Sequence, residues 1–118
     1  MKKEHNWTRI TTMENIPPRE GRSAEVGGVN VAIFNLDGRV LAIENACPHQ
    51  GGPLCDGIVS GTVVVCPLHG WRFDLETGMA VRASMPACIT IFPARVENGI
   101  VLVDITGGSR IEPEPAAA

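Results

Sequence analysis

The chain has 118 residues, which is enough for one domain with a modest core and too few for two. An apolar fraction of 44%, with 13 glycines and 9 prolines, is typical of a turn-rich globular protein and excludes disorder throughout. The net charge of −3 gives no indication of nucleic-acid binding. We therefore expect a single domain over residues 1–118.

The N-terminal segment predicts a cytoplasmic protein without a membrane anchor. Lys2 and Lys3 are followed by no apolar run, so no secretory signal is expected. No stretch approaches the roughly 20 apolar residues that a membrane helix needs. In a reducing compartment, the 4 cysteines point to metal binding or reactivity more than to disulfides.

The predicted elements are short strands joined by tight turns. Gly27-Gly28, Asp37-Gly38 and Asn98-Gly99 indicate hairpins, because these residues accept the positive φ angles of type I′ turns. The predicted strands are 22–26, 29–35, 39–44, 62–66, 71–74, 89–96 and 100–105. The pattern predicts an all-β protein built of antiparallel sheets.

Helix signals are weak and the chain ends are irregular. Residues 11–14 could cap one helical turn, which Pro17-Pro18 stops almost at once. Pro93 lies inside a strand pattern and indicates an edge or a bulge. The tail at 107–118 has no periodicity, so it is expected to fray. His5 is given no role, because it lies in a terminus expected to be mobile.

Two loops interrupt the strand pattern and carry the candidate ligands. The first contains Cys47-Pro48-His49, and the second contains Cys66-Pro67-Leu68-His69. Structural zinc sites pair cysteine with cysteine and histidine with histidine, whereas each loop here mixes the two. A binuclear [2Fe–2S] cluster fits better, with Cys47 and Cys66 on one iron and His49 and His69 on the other. Zinc remains the alternative.

These motifs resemble those of the Rieske [2Fe–2S] domain family, and the resemblance runs from about residue 7 to 105. It implies one [2Fe–2S] cluster and three antiparallel sheets. It also implies a small cluster-binding subdomain, at about 45–75, with the histidines near the surface. Residues 85–87 look like the proline-containing loop that covers the cluster in this family.

Glycines and aromatic residues around the motifs carry further expectations. The N–H groups of Gly51, Gly52 and Gly70 are candidate donors to cluster sulfides, because only glycine-rich loops wrap a cluster that closely. Trp71 and Phe73 stand where the high-potential members have a serine and a tyrosine. Fewer hydrogen bonds to sulfur predict a low potential for this family.

The same comparison with high-potential members excludes one disulfide and leaves two cysteines without a ligand role. Gly52 and Leu68 occupy the positions of the cysteines that those proteins join. Cys55 and Cys88 are interpreted as small packing residues, because the four ligand positions are already filled.

The resemblance implies electron transfer, with no catalytic residue in the chain itself. The segment 40–77 looks most like the small subunit of an assimilatory NAD(P)H nitrite reductase, whose partner would be the sirohaem-containing large subunit. The alternative is a Rieske ferredoxin that links a reductase to a ring-hydroxylating dioxygenase. A terminal oxygenase is excluded, because the only histidine besides the candidate ligands is His5.

Overall fold

The structure is a computed structural model that describes residues 5–48, 51–68, 70–83 and 87–111. Within those ranges, 11 strands form three antiparallel sheets, joined by turns that include three short 3-10 helices. The predicted all-β class is confirmed, and so are the three antiparallel sheets implied by the resemblance. No helix in the described ranges is long and apolar enough to cross a bilayer.

The strands differ in length, and the longest lie in the first half of the chain. They are β1 (Thr8–Thr12), β2 (Gly21–Val26), β3 (Val29–Leu36), β4 (Arg39–Glu44), β5 (Ile58–Ser60), β6 (Val63–Val65), β7 (Arg72–Asp74), β8 (Ala80–Arg82), β9 (Ile91–Phe92), β10 (Ala94–Glu97) and β11 (Ile100–Val103). The 3-10 helices are Met13–Asn15, Leu54–Asp56 and Ile105–Gly107.

The strand order of the three sheets shows which sheet carries the second cysteine loop. The first has the order β1-β11-β10, the second β2-β3-β4-β9 and the third β5-β6-β7-β8. The third sheet carries the second cysteine loop between β6 and β7. It ends at Arg82, beyond the limit at 75 predicted for the cluster-binding subdomain.

All three predicted hairpin turns are present, and both central residues of each have positive φ. The φ angles are 56° at Gly27, 83° at Gly28, 57° at Asp37, 102° at Gly38, 51° at Asn98 and 75° at Gly99. This is the type I′ geometry that matches the right-handed twist of paired strands.

The prediction of one strand at 89–96 is wrong. Pro93 divides the segment into β9, which pairs with β4 in the second sheet, and β10, which pairs with β11 in the first. Proline has no N–H to donate to a ladder, so the chain changes sheets at this residue. The carbonyl of Pro93 still accepts a hydrogen bond from Asp104 N at 3.0 Å.

Sequence patterns missed the strands β1, β5 and β8. Two of these have only three residues, and β1 is mostly threonine with an exposed first half. The helical turn expected near 11–14 lies at Met13–Asn15, but Thr12 makes no side-chain cap. Instead, the amide of Asn15 donates to the hydroxyls of Thr11 and Thr12, at 2.8 and 3.2 Å.

Two groups of buried residues form the core. The group called here the site core packs the two candidate thiols against the second and third sheets: Ala32, Phe34, Leu36, Ile43, Cys47, Leu54, Val64, Cys66, Trp71, Phe73, Leu75 and Ile89. The other group lies between the first and second sheets: Ile16, Val26, Val31, Ile33, Val40, Ala42, Val101 and Val103. The candidate thiols are therefore part of the folded core.

His5 has a structural role that the sequence did not predict. Its Nδ1 lies 2.9 Å from Oδ2 of Asp104, a carboxylate that is only 2% exposed. The other oxygen of Asp104 accepts from the Thr106 hydroxyl at 2.6 Å and from Thr106 N at 2.9 Å. These bonds, with the Thr106 hydroxyl first and His5 second, lower the pKa of the Asp104 carboxyl well below its ordinary value of 3.8.

Asp104→Asn should remove a pH-dependent part of the stability. A carboxyl whose folded pKa is depressed stabilises the native state above its unfolded pKa of about 3.9, and this contribution is lost as the pH falls toward the folded pKa. The variant should therefore unfold at a lower Tm than the native protein at pH 7, and the difference should shrink toward pH 3. Circular dichroism melts across this range measure it.

Asp37→Asn is the matched control, because Asp37 is exposed and its one ion pair within the described ranges is with Arg19, at 3.8 Å. Exposed ion pairs contribute about 0–1 kcal/mol, so its Tm should change little. A Tm difference for Asp104→Asn that stays constant down to pH 3 would contradict the prediction.

Candidate metal centre

The two predicted cysteine ligands occupy corresponding places in the fold. Cys47 lies in the loop that leaves β4, and Cys66 follows β6 directly. Both residues are 2% exposed and belong to the site core. The two predicted histidine ligands, His49 and His69, lie outside the described residues.

Two backbone hydrogen bonds close the first loop. Cys47 N donates to the carbonyl of Gly52 at 2.9 Å, and the carbonyl of Cys47 accepts from Gly51 N at 2.7 Å. Gly51 has a φ of 70°, a conformation that L side chains rarely adopt. Glycine adopts this conformation without strain, which favours the return of the loop to Cys47.

The second loop is closed in the same way and at the same offsets. Cys66 N donates to the carbonyl of Trp71 at 2.7 Å, and the carbonyl of Cys66 accepts from Gly70 N at 3.1 Å. Gly70 has a φ of 77°. Each cysteine is thus fixed through both its N–H and its carbonyl, by residues four and five positions later.

This closure changes the interpretation of the glycines. The N–H groups of Gly51 and Gly70 donate to the cysteine carbonyls. The hypothesis that these two N–H groups donate to cluster sulfides is therefore wrong in this structure. For Gly52 the hypothesis stays a prediction.

Gly52 brings the two loops together. A Cβ atom built on Gly52 would lie 3.0 Å from Sγ of Cys66 and 3.0 Å from Cγ of Leu68. Positions 52 and 68, which the sequence comparison singled out as lacking a disulfide, are therefore neighbours. None of the four cysteines, all of which lie in the described ranges, forms a disulfide.

Asn45 anchors the first loop, and sequence reasoning did not find it. Its Oδ1 accepts from Cys55 N at 2.8 Å, while its amide nitrogen donates to Cys55 Sγ and to Asn30 Oδ1, both at 3.3 Å. Asn45 is 8% exposed, and its own backbone N–H donates to the Asn30 carbonyl at 3.0 Å. The side chain thus joins the two ends of the segment that carries Cys47. The sequence signal that could have identified Asn45 is its position, directly after a predicted strand and two residues before the candidate ligand Cys47.

Cys55 packs against the site core, as predicted, and also takes part in this network. Burial, the largest cause, raises the pKa of its thiol, and the hydrogen bond from Asn45 partly offsets the effect. Cys88 is 3% exposed, and Arg110 donates to its carbonyl at 3.2 Å. Both cysteines are therefore engaged in packing and in hydrogen bonds.

Aromatic side chains lie behind the second loop. Trp71 and Phe73 are 7% and 0% exposed, and their ring centroids are 6.4 Å apart. Both belong to the site core together with the two candidate thiols. Of the predicted covering loop, Met85 and Pro86 lie outside the described residues, and Ala87 packs against the site core.

The described part of the site fits a sulfur-ligated iron centre. Two nearly buried thiols are set in loops of matched geometry, and Gly52 leaves the space beside Cys66 Sγ open. Thiolates are the ligands of iron–sulfur clusters, and the hydrophobic residues around them control solvent access and potential.

Comparisons with known proteins agree with this fit. The profile of the Rieske [2Fe-2S] domain matches residues 6–93. The ferredoxin component of the naphthalene 1,2-dioxygenase/salicylate 5-hydroxylase systems of a Ralstonia species is 31% identical over 98 residues, which are 83% of this chain and 94% of that protein.

Two solved structures have the same fold over most of their length. One is the ferredoxin of carbazole 1,9a-dioxygenase from Nocardioides aromaticivorans IC177, with 26% identity and a TM-score of 0.79, covering 83% of this chain and 96% of that one. The other, from Mycobacterium tuberculosis, is assigned as the small subunit of an NADH-dependent nitrite reductase. It has 27% identity and a TM-score of 0.77, and the match covers 86% and 96% of the two chains. The chain therefore belongs to the Rieske [2Fe–2S] domain family, whose members transfer electrons through one [2Fe–2S] cluster.

Proposed function

We propose that this chain is the ferredoxin component of a ring-hydroxylating dioxygenase system and carries single electrons from a reductase to the oxygenase. The observation that carries the proposal is the match, over nearly the full length of both chains, to a ferredoxin component of such a system. The sequence motifs alone favour the small subunit of a nitrite reductase. The curated relatives favour the ferredoxin alternative, and we place it first for that reason.

Cys47, His49, Cys66 and His69 are the proposed cluster ligands. Two features support the cysteine pair: both thiols are nearly buried, and both are fixed by the same two backbone bonds. The cluster, when bound, accepts and releases one electron at a time. Thiolate ligation on the buried side and imidazole ligation on the other would place electron exchange at the histidine side.

The side chains behind the cysteines favour a low potential. Trp71 and Phe73 fill the site core without a hydroxyl group that could donate to a ligand sulfur. Each missing donor leaves the added negative charge less stabilised, so the reduced state is less favoured. A low potential suits a carrier that must pass electrons onward.

Leu68 is an exposed apolar side chain next to the histidine side of the proposed cluster site. It is 51% exposed, and it immediately precedes His69 in the chain. Exposed apolar side chains beside a ligand loop exclude water from a contact with another protein. The chain itself needs no catalytic residue for this role.

A nitrite reductase small subunit is the second candidate function. It rests on the M. tuberculosis structure, which has similar coverage and a similar TM-score to the ferredoxin structure. In that case the electron acceptor would be a sirohaem-containing large subunit in place of an oxygenase. The two candidates share the cluster and differ only in the partner.

Electron delivery to each acceptor separates the two functions. The reduced, cluster-loaded chain is mixed with the oxygenase component, or with the sirohaem-containing large subunit, from the organism that supplies this chain. Reoxidation followed by stopped-flow absorbance should be faster with the oxygenase, because only a matched surface brings the centres within transfer distance. Faster reoxidation by the sirohaem subunit, with NAD(P)H-dependent ammonium formation, would reverse the order of the two functions.

His49→Cys and His69→Cys should lower the midpoint potential by on the order of 100 mV or more, provided that the cluster assembles. A thiolate adds negative charge where imidazole is neutral, and all-cysteine plant-type centres lie near −400 mV against about −150 to +300 mV for Rieske centres. Protein-film voltammetry measures the shift. Cys55→Ser and Cys88→Ser are the controls and should retain the visible spectrum. An unchanged potential in both histidine variants means that these residues do not bind iron.

Asn45→Ala should cost about 1–3 kcal/mol of unfolding free energy, because it leaves Cys55 N–H without its side-chain acceptor in a half-buried site. Loosening of the first loop should also broaden the EPR signal of the reduced cluster. Asn15→Ala is the matched control, since that amide is exposed and, among the described residues, bonds only to threonine hydroxyls. If urea unfolding shows the same loss of unfolding free energy in both variants, Asn45 does not anchor the first loop.

A further inference from the structure

One cross-strand row runs over the third sheet beside the second cysteine loop. Ile58 pairs with Val65, Val65 with Arg72, and Arg72 with Arg82. Directly paired residues project to the same face of a sheet. The adjacent row contains Val64 and Phe73, both fully buried, so Ile58, Val65 and Arg72 lie on the outer face. The register shifts between Arg72 and Phe73, and Arg82 is assigned to this side by its exposure and its pairing with Arg72.

This row adjoins the candidate metal centre. Val65 immediately precedes Cys66, and Arg72 immediately follows Trp71, which closes the same loop. A groove of about 360 Å³ connects the row to the loop, and its lining is mostly apolar in character: Asp56, Gly57, Ile58, Val65, Cys66, Pro67 and Gly70. Ile58, at the apolar end of the row, is 75% exposed.

The two arginines of the row are exposed and are strand partners at a register shift. Like charges directly opposite each other across a strand pair are destabilising. Asp74 is two residues from Arg72 on β7 and shares its face, but its carboxylate is bonded to Thr62 and to Glu76 N. In the part of the chain that the structure describes, neither Arg72 nor Arg82 forms an ion pair.

Most of the other arginines are neutralised. Five form ion pairs with aspartate or glutamate: Arg19, Arg22, Arg39, Arg95 and Arg110. The row therefore concentrates uncompensated positive charge next to the centre of a chain whose net charge is −3.

We propose that Arg72 and Arg82, together with the apolar Ile58 and Val65, form a docking row for an acidic, partly apolar surface on the redox partner protein. Arginine presents planar, paired donors that match carboxylates, and it is more weakly hydrated than lysine, so it suits a protein contact. The exposed isoleucine supplies the apolar part of the contact. This inference rests on the proposed electron-carrier function but not on which acceptor is correct.

Charge reversal at Arg82 tests the docking row, because it should slow electron transfer to the partner while raising the stability of the folded protein. With the cluster-loaded chain and the oxygenase component, Arg82→Glu should lower the second-order rate constant about threefold to tenfold at low ionic strength and weaken its salt dependence. The same substitution turns a repulsive cross-strand pair into an attractive one, so Tm should rise by about 1–5 °C. Arg72→Glu should act in the same direction, with the midpoint potential measured in both variants to correct for driving force.

Arg9→Glu is the matched control. Arg9 is exposed, lies in the first sheet, and forms no ion pair within the described residues. It carries the same change in net charge, so its transfer rate should stay within about twofold of the native rate. The docking proposal is wrong if Arg9→Glu lowers the second-order rate constant as much as the other variants do. It is also wrong if the rate constant is unchanged in both Arg72→Glu and Arg82→Glu.

A small-ion measurement separates failure of the row from failure of the proposed function. Ferricyanide is an anionic oxidant and tris(phenanthroline)cobalt(III) a cationic one, and neither requires a protein partner. Reoxidation by ferricyanide should slow relative to the cobalt complex in Arg72→Glu and Arg82→Glu but not in Arg9→Glu. One outcome is that the ratio of the two reoxidation rates shifts although the oxygenase accepts no electrons. In that case the dioxygenase role is wrong and the positive row is supported. An unshifted ratio counts against the row itself.

Discussion

The geometry of the candidate metal centre depends on two pairs of backbone hydrogen bonds. Cys47 and Cys66 are each held through their N–H and their carbonyl by residues five and four positions later. Each return uses a glycine at positive φ, a conformation that L side chains rarely adopt. The four backbone bonds thereby hold both thiols at nearly buried positions.

The loops are in turn fixed to the body of the protein by different means. The first is tied through Asn45, whose side chain joins the end of β4 to Cys55. The second is part of the third sheet, because Cys66 and Arg72 lie at the adjoining ends of β6 and β7. Gly52 lies against the second loop at a distance that no larger residue could occupy without displacing Leu68 or the thiol of Cys66. The relative placement of the two thiols therefore follows from side-chain packing as much as from backbone bonding.

Local signals were sufficient for much of this structure and insufficient for the rest. The three hairpins follow from dipeptides that accept positive φ, and the two cysteine loops follow from motif spacing. The division at Pro93 depends on which sheet each half joins, a choice made by long-range pairing that no local pattern records. The contact between His5 and Asp104 spans almost the whole chain, and the opposition of Arg72 and Arg82 depends on strand register. Sequence shows the charges of these residues but not their neighbours.

Net charge and local charge give different expectations for recognition. A net charge of −3 would favour a basic partner at long range. At physiological ionic strength, however, exposed charges are screened within about 8 Å, so the residues at the contact determine orientation. Arg72 directly follows the second loop and Arg82 is its strand partner, whereas most other arginines are paired with carboxylates elsewhere. A partner can thus approach a weakly acidic protein slowly and still align on one positive row. A carboxylate surface on the partner would compensate the two arginines, neither of which forms an ion pair within the described residues.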